Sequence, residues 1–299
     1  MEENNPNLHH LLIPASVLKG EEKRVIAIIQ ARMASSRLPG KVLYDLGGEP
    51  MLVRVVERVR RAKKVHQIVV ATTTDQSDDP VAKLCAQRGY SCFRGSQRDV
   101  LDRFTRAARG LVAEVIVRIT GDCPVIDPGL VDEIVQAFMG RDAAPGSFDF
   151  GCNRLPPPFT RTYPIGLDTE VCSIAALERA WQEANQAYHR EHVMPYLYEG
   201  IQKSERVQKL DRSGYFDIFL TKRGFRVFQV NHEPDYGYLR WTVDTPTDLE
   251  VIRRIYSHFA GRVDFSWREI LALVQSEPGL SALNAGIYHK DFRESEQKV

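Results

Sequence analysis

Segments with the spacing of buried strands and of amphipathic helices alternate along the first 140 residues, and this alternation constrains the fold more than any other feature. Residues 25–29 are continuously apolar and largely β-branched, which indicates a strand buried on both faces. In residues 51–62 the apolar positions recur at helical spacing, with charged residues between them. Further strands are predicted at 68–73, 91–93 and 115–119, and further helices at 80–88, 100–109 and 128–138. The alternation predicts an α/β fold, in which helices flank a mixed, mostly parallel sheet.

After about residue 143 the alternation becomes irregular, and a proline run at 156–158 predicts a loop. Beyond this loop the sequence predicts strands at 168–172, 225–230 and 239–243, and helices at 174–184, 190–200, 246–259 and 266–274. We therefore predict a flexible leader at 1–23, one domain at 24–275 that includes a subdomain at about 145–238, and a C-terminal tail at 276–299.

Charge and hydropathy exclude several classes of partner. The chain has 40 basic and 39 acidic residues, so no overall field favours nucleic acid or an anionic membrane. Apolar runs stay far below the roughly 18 residues of a membrane span, and the leader lacks the basic start and apolar core of a signal peptide. The five cysteines are widely spaced and form no CxxC pair, which indicates reduced thiols. We expect a cytoplasmic protein with no nucleic-acid or membrane partner.

The loop after the first predicted strand, residues 30–41, is the most informative segment. It carries three cations, Arg32, Arg37 and Lys41, and the serines and glycine between them allow a ligand to approach the backbone closely. Open α/β sheets bind ligands at the carboxyl ends of their strands, so this loop predicts a polyanion site. The composition alone leaves open a second interpretation, in which the loop is solvated and its charges serve solubility.

Residues 29–41 resemble the nucleotide-binding signature of the CMP-sugar synthetases, in particular the spore coat polysaccharide biosynthesis protein F branch of the cytidylyltransferase family. Further segments follow in the order of that family, at 70–73, 93–95, 120–124, 190–193 and 243–249, and the resemblance covers roughly residues 24–275. It implies a Rossmann-like nucleotidyltransferase fold of the glycosyltransferase-A type, usually dimeric. The implied reaction transfers CMP from CTP to a sugar acid or related sugar, with release of pyrophosphate, in surface polysaccharide or glycan biosynthesis.

The resemblance assigns the cations of the loop to the nucleotide. Arg32 and Lys41 would hold the triphosphate, which suits the bidentate grip of a guanidinium and the compact charge of an ammonium. Ser36 and Arg37 would contact either the base or a phosphate. Such groups are needed because nucleotidyl transfer builds negative charge around the phosphorus that is attacked.

Asp122 and Asp244 match the paired metal aspartates of the family. Each follows a predicted strand, so both carboxylates are expected at one edge of the sheet, where two hard oxygen ligands suit Mg²⁺. The residues alone leave open that these aspartates only begin turns, since Asp-Thr-Pro is also a common start of a helix.

The base and ribose contacts implied by the family fall on Ala31, Thr72, Thr73, Gln97 and Thr120. The sugar-acid branch has a glutamine where this chain has Thr120, so one side-chain amide contact is absent. A UTP- or GTP-dependent sugar-phosphate nucleotidyltransferase of the same fold therefore remains an alternative, as does a noncatalytic nucleotide-binding protein.

Recognition of the acceptor is expected in the irregular second half. Asp168, Glu170, Arg190 and His192 combine acids, a base and an imidazole near the ends of predicted elements. His192 is interpreted either as the group that deprotonates the acceptor hydroxyl or as a structural hydrogen-bonding residue.

Overall fold

The first half of the chain has the predicted alternation of strands and helices. The structure is a computed structural model that describes residues 23–140, 148–209, 213–260, 262 and 264–288. Its first elements are β1 (Val25–Gln30), α1 (Met51–Val59), β2 (Gln67–Thr73), α2 (Asp79–Arg88), β3 (Cys92–Gly95), α3 (Val100–Gly110), β4 (Val115–Thr120) and α4 (Pro128–Phe138). Short 3₁₀ helices at Lys41–Leu43 and Gln76–Asp78 follow β1 and β2.

The second half adds strands to the same sheet. Its elements are β5 (Phe150–Cys152), β6 (Glu170–Ser173), α5 (Ile174–Glu183), α6 (Ala187–His192), α7 (Pro195–Tyr198), β7 (Ile201–Gln208), β8 (Gly214–Thr221), β9 (Arg226–His232), α8 (Pro246–His258), α9 (Trp267–Ser276) and α10 (Pro278–Ala282). The strand order among the described residues is β3-β2-β1-β4-β6-β5-β9-β8-β7.

Strand β1 lies inside the sheet, and this position explains its continuous apolar run. It pairs in parallel with β2 and β4, and Ile29 lies opposite Val70 on one side and Ile119 on the other. Alternate side chains of β1 enter two hydrophobic clusters, one on each face of the sheet. Beyond β4 the sheet is mixed. Strand β6 is antiparallel to β4, whereas β5 and β9 pair with each other in parallel. The predicted α/β fold is confirmed.

Two predicted elements are wrong. The helix predicted at 190–200 is interrupted, because Val193 has a φ of 71° and Pro195 has no backbone N–H to continue a helix. The strand predicted at 239–243 is absent from the sheet, and its one ladder contact among the described residues is an isolated bridge between Ile165 and Arg240. The sequence also missed β7 and β8, which form one edge of the sheet.

The predicted leader, subdomain and tail can be compared with the described residues. The predicted subdomain at about 145–238 contains β5 to β9, which belong to the same sheet as β1 to β4. Within the predicted tail the structure has α10, and Asn284 is only 2% exposed. Residues 1–22 of the predicted leader and 289–299 of the tail lie outside the described residues. No helix in the described ranges is long and apolar enough to cross a membrane.

Candidate active site

Lys41 is the centre of the candidate site. Its Nζ donates hydrogen bonds to Asp122 Oδ2 at 2.9 Å, to Asp244 Oδ1 at 2.9 Å and to the carbonyl oxygen of Val243 at 2.7 Å. The lysine side chain is 9% exposed, so water screens these contacts weakly. Three residues predicted to be catalytic therefore meet at one point.

The charges at this point stabilise one another. Burial alone would lower the pKa of Lys41, but the carboxylates of Asp122 and Asp244 outweigh burial and raise it. Burial would raise the pKa of Asp122, but the charge and hydrogen bond of Lys41 hold it well below its ordinary value. At neutral pH the lysine is thus a cation and Asp122 is an anion.

The two aspartates reach Lys41 by different routes. Asp122 follows β4, as predicted, and the N–H of Gly121 donates to the carbonyl oxygen of Gln30 at 2.8 Å. Asp244 does not follow a strand, so the predicted reason for its position is wrong. Its loop is docked on Asp122 instead, because the Val243 N–H donates to the Asp122 carbonyl oxygen at 2.9 Å.

Asp244 also does not cap the helix that follows it. The N-cap of α8 is Thr245, whose hydroxyl accepts the N–H of Asp248, while the Asp248 carboxylate accepts the N–H of Thr245. The alternative in which Asp244 only starts this helix is therefore wrong, and its carboxylate is available to Lys41.

The donor set fits a small divalent cation. The carboxylates of Asp122 and Asp244 and the carbonyl oxygen of Val243 all accept hydrogen bonds from Lys41 Nζ, and they are hard oxygen donors of the kind that Mg²⁺ prefers. Mg²⁺ commonly uses only one or two protein carboxylates and completes its shell with water and phosphate oxygens. No group of three or more His, Cys, Asp or Glu suited to a metal occurs among the described residues, so a cation here would depend on these two carboxylates and on ligand oxygens.

The residues of the loop after β1 differ in their contacts. Arg37 Nη2 lies 3.0 Å from Asp244 Oδ2, so Arg37 belongs to the charged centre. Arg32 is partly exposed, and its Nη2 lies 4.0 Å from Glu191 Oε1. Ser36 is exposed, whereas the Ala31 N–H is used in a hydrogen bond to the Ala71 carbonyl oxygen.

Asp78 is a residue of this region that the sequence analysis missed. It is 1% exposed and accepts the Met33 N–H at 2.6 Å and the Thr73 hydroxyl at 2.5 Å. The loop after β1 is thereby tied to the end of β2, and the Thr73 hydroxyl faces Asp78. The signal in the sequence was the acidic segment between the predicted strand and the predicted helix, with Asp75, Asp78 and Asp79.

Two buried groups beside the loop have unused hydrogen-bonding capacity. Thr72 and Arg103 are both 0% exposed, and Thr72 Oγ1 and Arg103 Nε and Nη2 have no partner in the described part of the chain. Arg103 Nη1 donates to the Ser96 carbonyl oxygen at 2.6 Å. Burial, aided by the charge of Arg32, lowers the pKa of Arg103 to about 10. The predicted contact residue Gln97, next to Ser96, is exposed.

Thr120 and Cys123 lie against Asp122. The Thr120 hydroxyl is 3.2 Å from Cys123 Sγ, and it also helps to keep the pKa of Asp122 low. Burial, together with the charge of Asp122, raises the pKa of the Cys123 thiol. This cysteine therefore packs and does not supply a thiolate.

Three of the four residues predicted to bind the acceptor lie in one charged cluster. Asp168 is paired with Arg161, and the 6% exposed Glu170 is paired with Arg118. Burial lowers the pKa of His192 in this cluster, and the nearby arginines 118, 154 and 32 lower it further. The neighbouring Glu191 opposes that shift.

Arg190, the fourth of these residues, lies elsewhere. Its Nε donates to Asp99 Oδ2 at 2.9 Å and its Nη1 donates to the Trp181 carbonyl oxygen at 2.7 Å. Asp99 is also the N-cap of α3, since its other carboxylate oxygen accepts the N–H of Asp102. Arg190 thus joins α6 to the start of α3.

The fold and this centre define the class of protein. Cations and paired carboxylates at the carboxyl edge of a parallel sheet match a nucleotide phosphate chain and its counter-ion. This sheet with a basic loop and paired carboxylates at its edge is typical of nucleotide-binding proteins with a Rossmann-like fold.

Similarity over nearly the whole chain identifies the family. The cytidylyltransferase family model matches residues 26–272, so the chain belongs to the cytidylyltransferase family. The spore coat polysaccharide biosynthesis protein SpsF of Bacillus subtilis is 34% identical over 85% of this chain and 95% of the relative. A 3-deoxy-manno-octulosonate cytidylyltransferase of an Anaeromyxobacter species is 37% identical over 78% of this chain and 98% of the relative.

A solved structure agrees with this assignment. A cytidylyltransferase from Leptospira borgpetersenii is 31% identical and covers 89% of this chain, with a TM-score of 0.75. The predicted family and the predicted class of enzyme are confirmed: the chain is a cytidylyltransferase, which transfers CMP from CTP.

Proposed function

We propose that this chain is a Mg²⁺-dependent cytidylyltransferase that transfers CMP to a sugar acid or related sugar in polysaccharide biosynthesis. The observation that carries the proposal is the convergence of Lys41, Asp122 and Asp244 beside the basic loop. The names of two relatives support a sugar or sugar acid as the acceptor. One is a spore coat polysaccharide biosynthesis protein, and the other is a 3-deoxy-manno-octulosonate cytidylyltransferase.

The residues of the centre suit this reaction. A hydroxyl oxygen of the acceptor forms a bond to the α-phosphorus of CTP, the bond from that phosphorus to the bridging oxygen breaks, and pyrophosphate leaves. Arg32 and Lys41 offset the charge that develops on the phosphate oxygens. Asp122 and Asp244 would hold Mg²⁺, which when bound neutralises phosphate charge and polarises phosphate oxygens.

The charged cluster around Asp168 and Glu170 contains a cation that could recognise an anionic sugar as the acceptor. The partly buried Arg154 guanidinium lies within electrostatic reach of Asp168 and Glu170. Burial would lower its pKa, but the charges of Asp168 and Glu170 keep it raised, so the group stays cationic. A guanidinium suits the carboxylate of a sugar acid, which it can bind through two hydrogen bonds. His192, with its lowered pKa, is neutral at neutral pH and is suited to accept the proton of the acceptor hydroxyl.

A homodimer in the cytoplasm is part of the proposal. Strand β7 ends the sheet, and six of its eight side chains are exposed. Exposed edge strands are sites where a second chain can add to a sheet, which supports an interface at this edge. Light scattering after size exclusion, with wild type and with Val207→Pro on this edge, would measure the mass and test the interface.

Nucleotide-dependent thermal unfolding tests the proposed function. Wild type and Asp122→Asn are compared with CTP, UTP, GTP and ATP, each with and without Mg²⁺. A ligand at about 100 times its Kd stabilises the native state by roughly 2.7 kcal/mol. We expect Mg²⁺-dependent stabilisation by CTP that Asp122→Asn abolishes. Asp264→Asn, at a position 62% exposed and outside the centre, is the matched control.

The same measurement separates the alternatives. Stabilisation by UTP or GTP in place of CTP would contradict the base assignment, and Thr120, where the sugar-acid branch has glutamine, is the residue that favours this alternative. If no nucleotide raises the Tm, the proposal that the chain is a nucleotide-dependent enzyme is contradicted. Pyrophosphate release with CTP and a panel of sugar acids and neutral sugars then identifies the class of acceptor.

A further inference from the structure

Asp244 is fixed by a buried hydrogen-bond network that reaches into the predicted C-terminal tail. Arg240 Nη2 donates to Asp244 Oδ2 at 3.0 Å and to Asp248 Oδ2 at 3.0 Å, and its Nε donates to Asp248 Oδ1 at 2.8 Å. Asn284 Nδ2 donates to Asp248 Oδ1 at 2.9 Å and to the Arg240 carbonyl oxygen at 3.0 Å. Arg240, Asp248 and Asn284 are 4%, 0% and 2% exposed.

We propose that Asp248 and Asn284 are positioning residues, which orient the Asp244 carboxylate through Arg240. The segment from α10 to Asn284 is then a functional part of the active site and not a tail. The inference rests on the proposed role of Asp244 as a metal ligand, and it adds to that role the residues on which its geometry depends.

The network fixes Asp244 at both its backbone and its side chain. The Asp248 carboxylate accepts the Asp244 N–H at 3.1 Å, which holds the main chain. Arg240 holds Oδ2 of the Asp244 side chain together with Arg37, and Oδ1 is directed at Lys41 Nζ. A carboxylate whose two oxygens have fixed and different partners cannot rotate freely, so it keeps one orientation in the centre.

Asn284 completes the shell of Asp248. Five donors reach that carboxylate: two from Arg240, one from Asn284 and the N–H groups of Asp244 and Thr245. Burial would raise the pKa of Asp248, but Arg240 and Asn284 lower it, so the group stays ionised and keeps its hold on Arg240. Without the asparagine, both Asp248 Oδ1 and the Arg240 carbonyl lose a donor where water has little access.

Asn284→Ala in the full chain tests the proposal. Mn²⁺, used as a probe for Mg²⁺, is titrated in the presence of CTP, and the free ion is measured by electron paramagnetic resonance. Loss of a group that orients a metal ligand typically weakens metal binding about 10- to 100-fold. We expect at least a tenfold weaker Mn²⁺ affinity and a similar rise in the Mg²⁺ concentration needed for half-maximal activity. The kcat at saturating Mg²⁺ should stay within about twofold of wild type, since the ligands themselves are intact.

Two controls separate positioning from stability. Leu283→Ala changes an exposed neighbour of Asn284 and should leave both quantities unchanged. Ser266→Ala removes the capping hydroxyl of α9, which lies outside the network, so it should lower the Tm without weakening Mn²⁺ binding. Should Asn284→Ala not fold, Asn284→Ser keeps one donor and should show about a threefold loss of Mn²⁺ affinity.

The outcomes are distinguishable. If Asn284→Ala lowers the Tm as Ser266→Ala does but binds Mn²⁺ like wild type, the network is only structural and the inference is overturned. If wild type itself binds no Mn²⁺ with CTP, the metal site of the proposed function fails and the inference fails with it. Weaker Mn²⁺ binding confined to the Asn284 variants supports the positioning role.

Discussion

Lys41 Nζ lies 2.9 Å from the Asp122 carboxylate, although 81 residues separate the two in the chain. Lys41 Nζ also donates a hydrogen bond to Asp244 at the same distance, so one cation is shared by two anions. Each of the three charges would be unfavourable at this depth without the others. The contact therefore links folding of the sheet edge to assembly of the candidate centre.

We predict that Lys41→Met inactivates the enzyme and destabilises it in a pH-dependent way. Loss of a cation that offsets transferring phosphate charge lowers kcat by about 10³-fold. Removal of Lys41 leaves the partly buried Asp122 carboxylate without its cation and next to Asp244, which costs about 1–3 kcal/mol at neutral pH. Initial rates with CTP and urea unfolding measure the two effects.

The pH dependence identifies the cause of that destabilisation. The pKa of Asp122 is lowered in the folded wild type, so the group contributes stability above its unfolded pKa near 3.8 and loses it as pH falls. The difference between wild type and Lys41→Met should shrink below about pH 4. A difference that is constant from pH 7 to pH 3 would contradict the electrostatic explanation. Lys83→Met, at an exposed position of α2, is the control.

We predict that Asp78→Ala weakens CTP binding without touching the charged centre. Asp78 holds the Met33 N–H and the Thr73 hydroxyl, so its loss releases the loop that carries the cations. Each buried donor left without a partner costs about 1–3 kcal/mol, and the KM for CTP should rise more than kcat falls. Asp75→Ala, a nearby exposed aspartate, should leave the KM unchanged. An unchanged KM in Asp78→Ala would show that the loop is held by other contacts.

We predict that Gly121→Ala separates the ends of β1 and β4. A Cβ at this position would lie 2.9 Å from the Gln30 carbonyl oxygen and 3.3 Å from Ala31 Cβ. Overpacking of this kind costs about 1–3 kcal/mol, and here it also moves Asp122, which is the next residue. Thermal unfolding should show a lower Tm and a smaller shift with CTP. Gly279→Ala, where a Cβ meets nothing within 4 Å, should show neither effect.

The first half of the fold was predictable because its signals are local. The apolar run of β1 reflects a strand with neighbours on both sides, and the cations at 32, 37 and 41 follow it directly in the chain. The edge strand β7 exposes most of its side chains on both faces and so has no apolar period. Strand β8 is largely buried, and the aromatic and β-branched residues at 215–219 are typical of a strand.

The site was predictable only in part, because several of its contacts join distant segments. Asp244 was assigned to the centre for a wrong reason, since a docked loop and not a strand places it there. Pro195 was a visible signal against a continuous helix, whereas the positive φ of Val193 was not. Asp78, Arg103 and Asn284 act through buried hydrogen bonds that no local pattern reveals.

We predict that His192 contributes to the acid sensitivity of the fold. Burial lowers its pKa below the ordinary value of 6.5, and the surrounding arginines act in the same direction against Glu191. The unfolded chain therefore binds a proton at this group below pH 6.5, while the folded chain binds it only at lower pH. Stability falls with pH in that range, by at most about 1.4 kcal/mol per pH unit from this group. His192→Gln removes the contribution.

Chemical unfolding at pH 7.5 and pH 5.5 gives the loss of unfolding free energy on acidification, both for wild type and for His192→Gln. The difference between these two losses is the contribution of His192, because the other titrating groups are the same in both proteins. We expect the variant to lose less stability than wild type on acidification. If His192 also takes the acceptor proton, the variant should show a lower kcat at pH 7.5 with an unchanged KM for CTP. Equal acid sensitivity in the two proteins would show that His192 titrates alike in the folded and unfolded chain, which contradicts the lowered pKa.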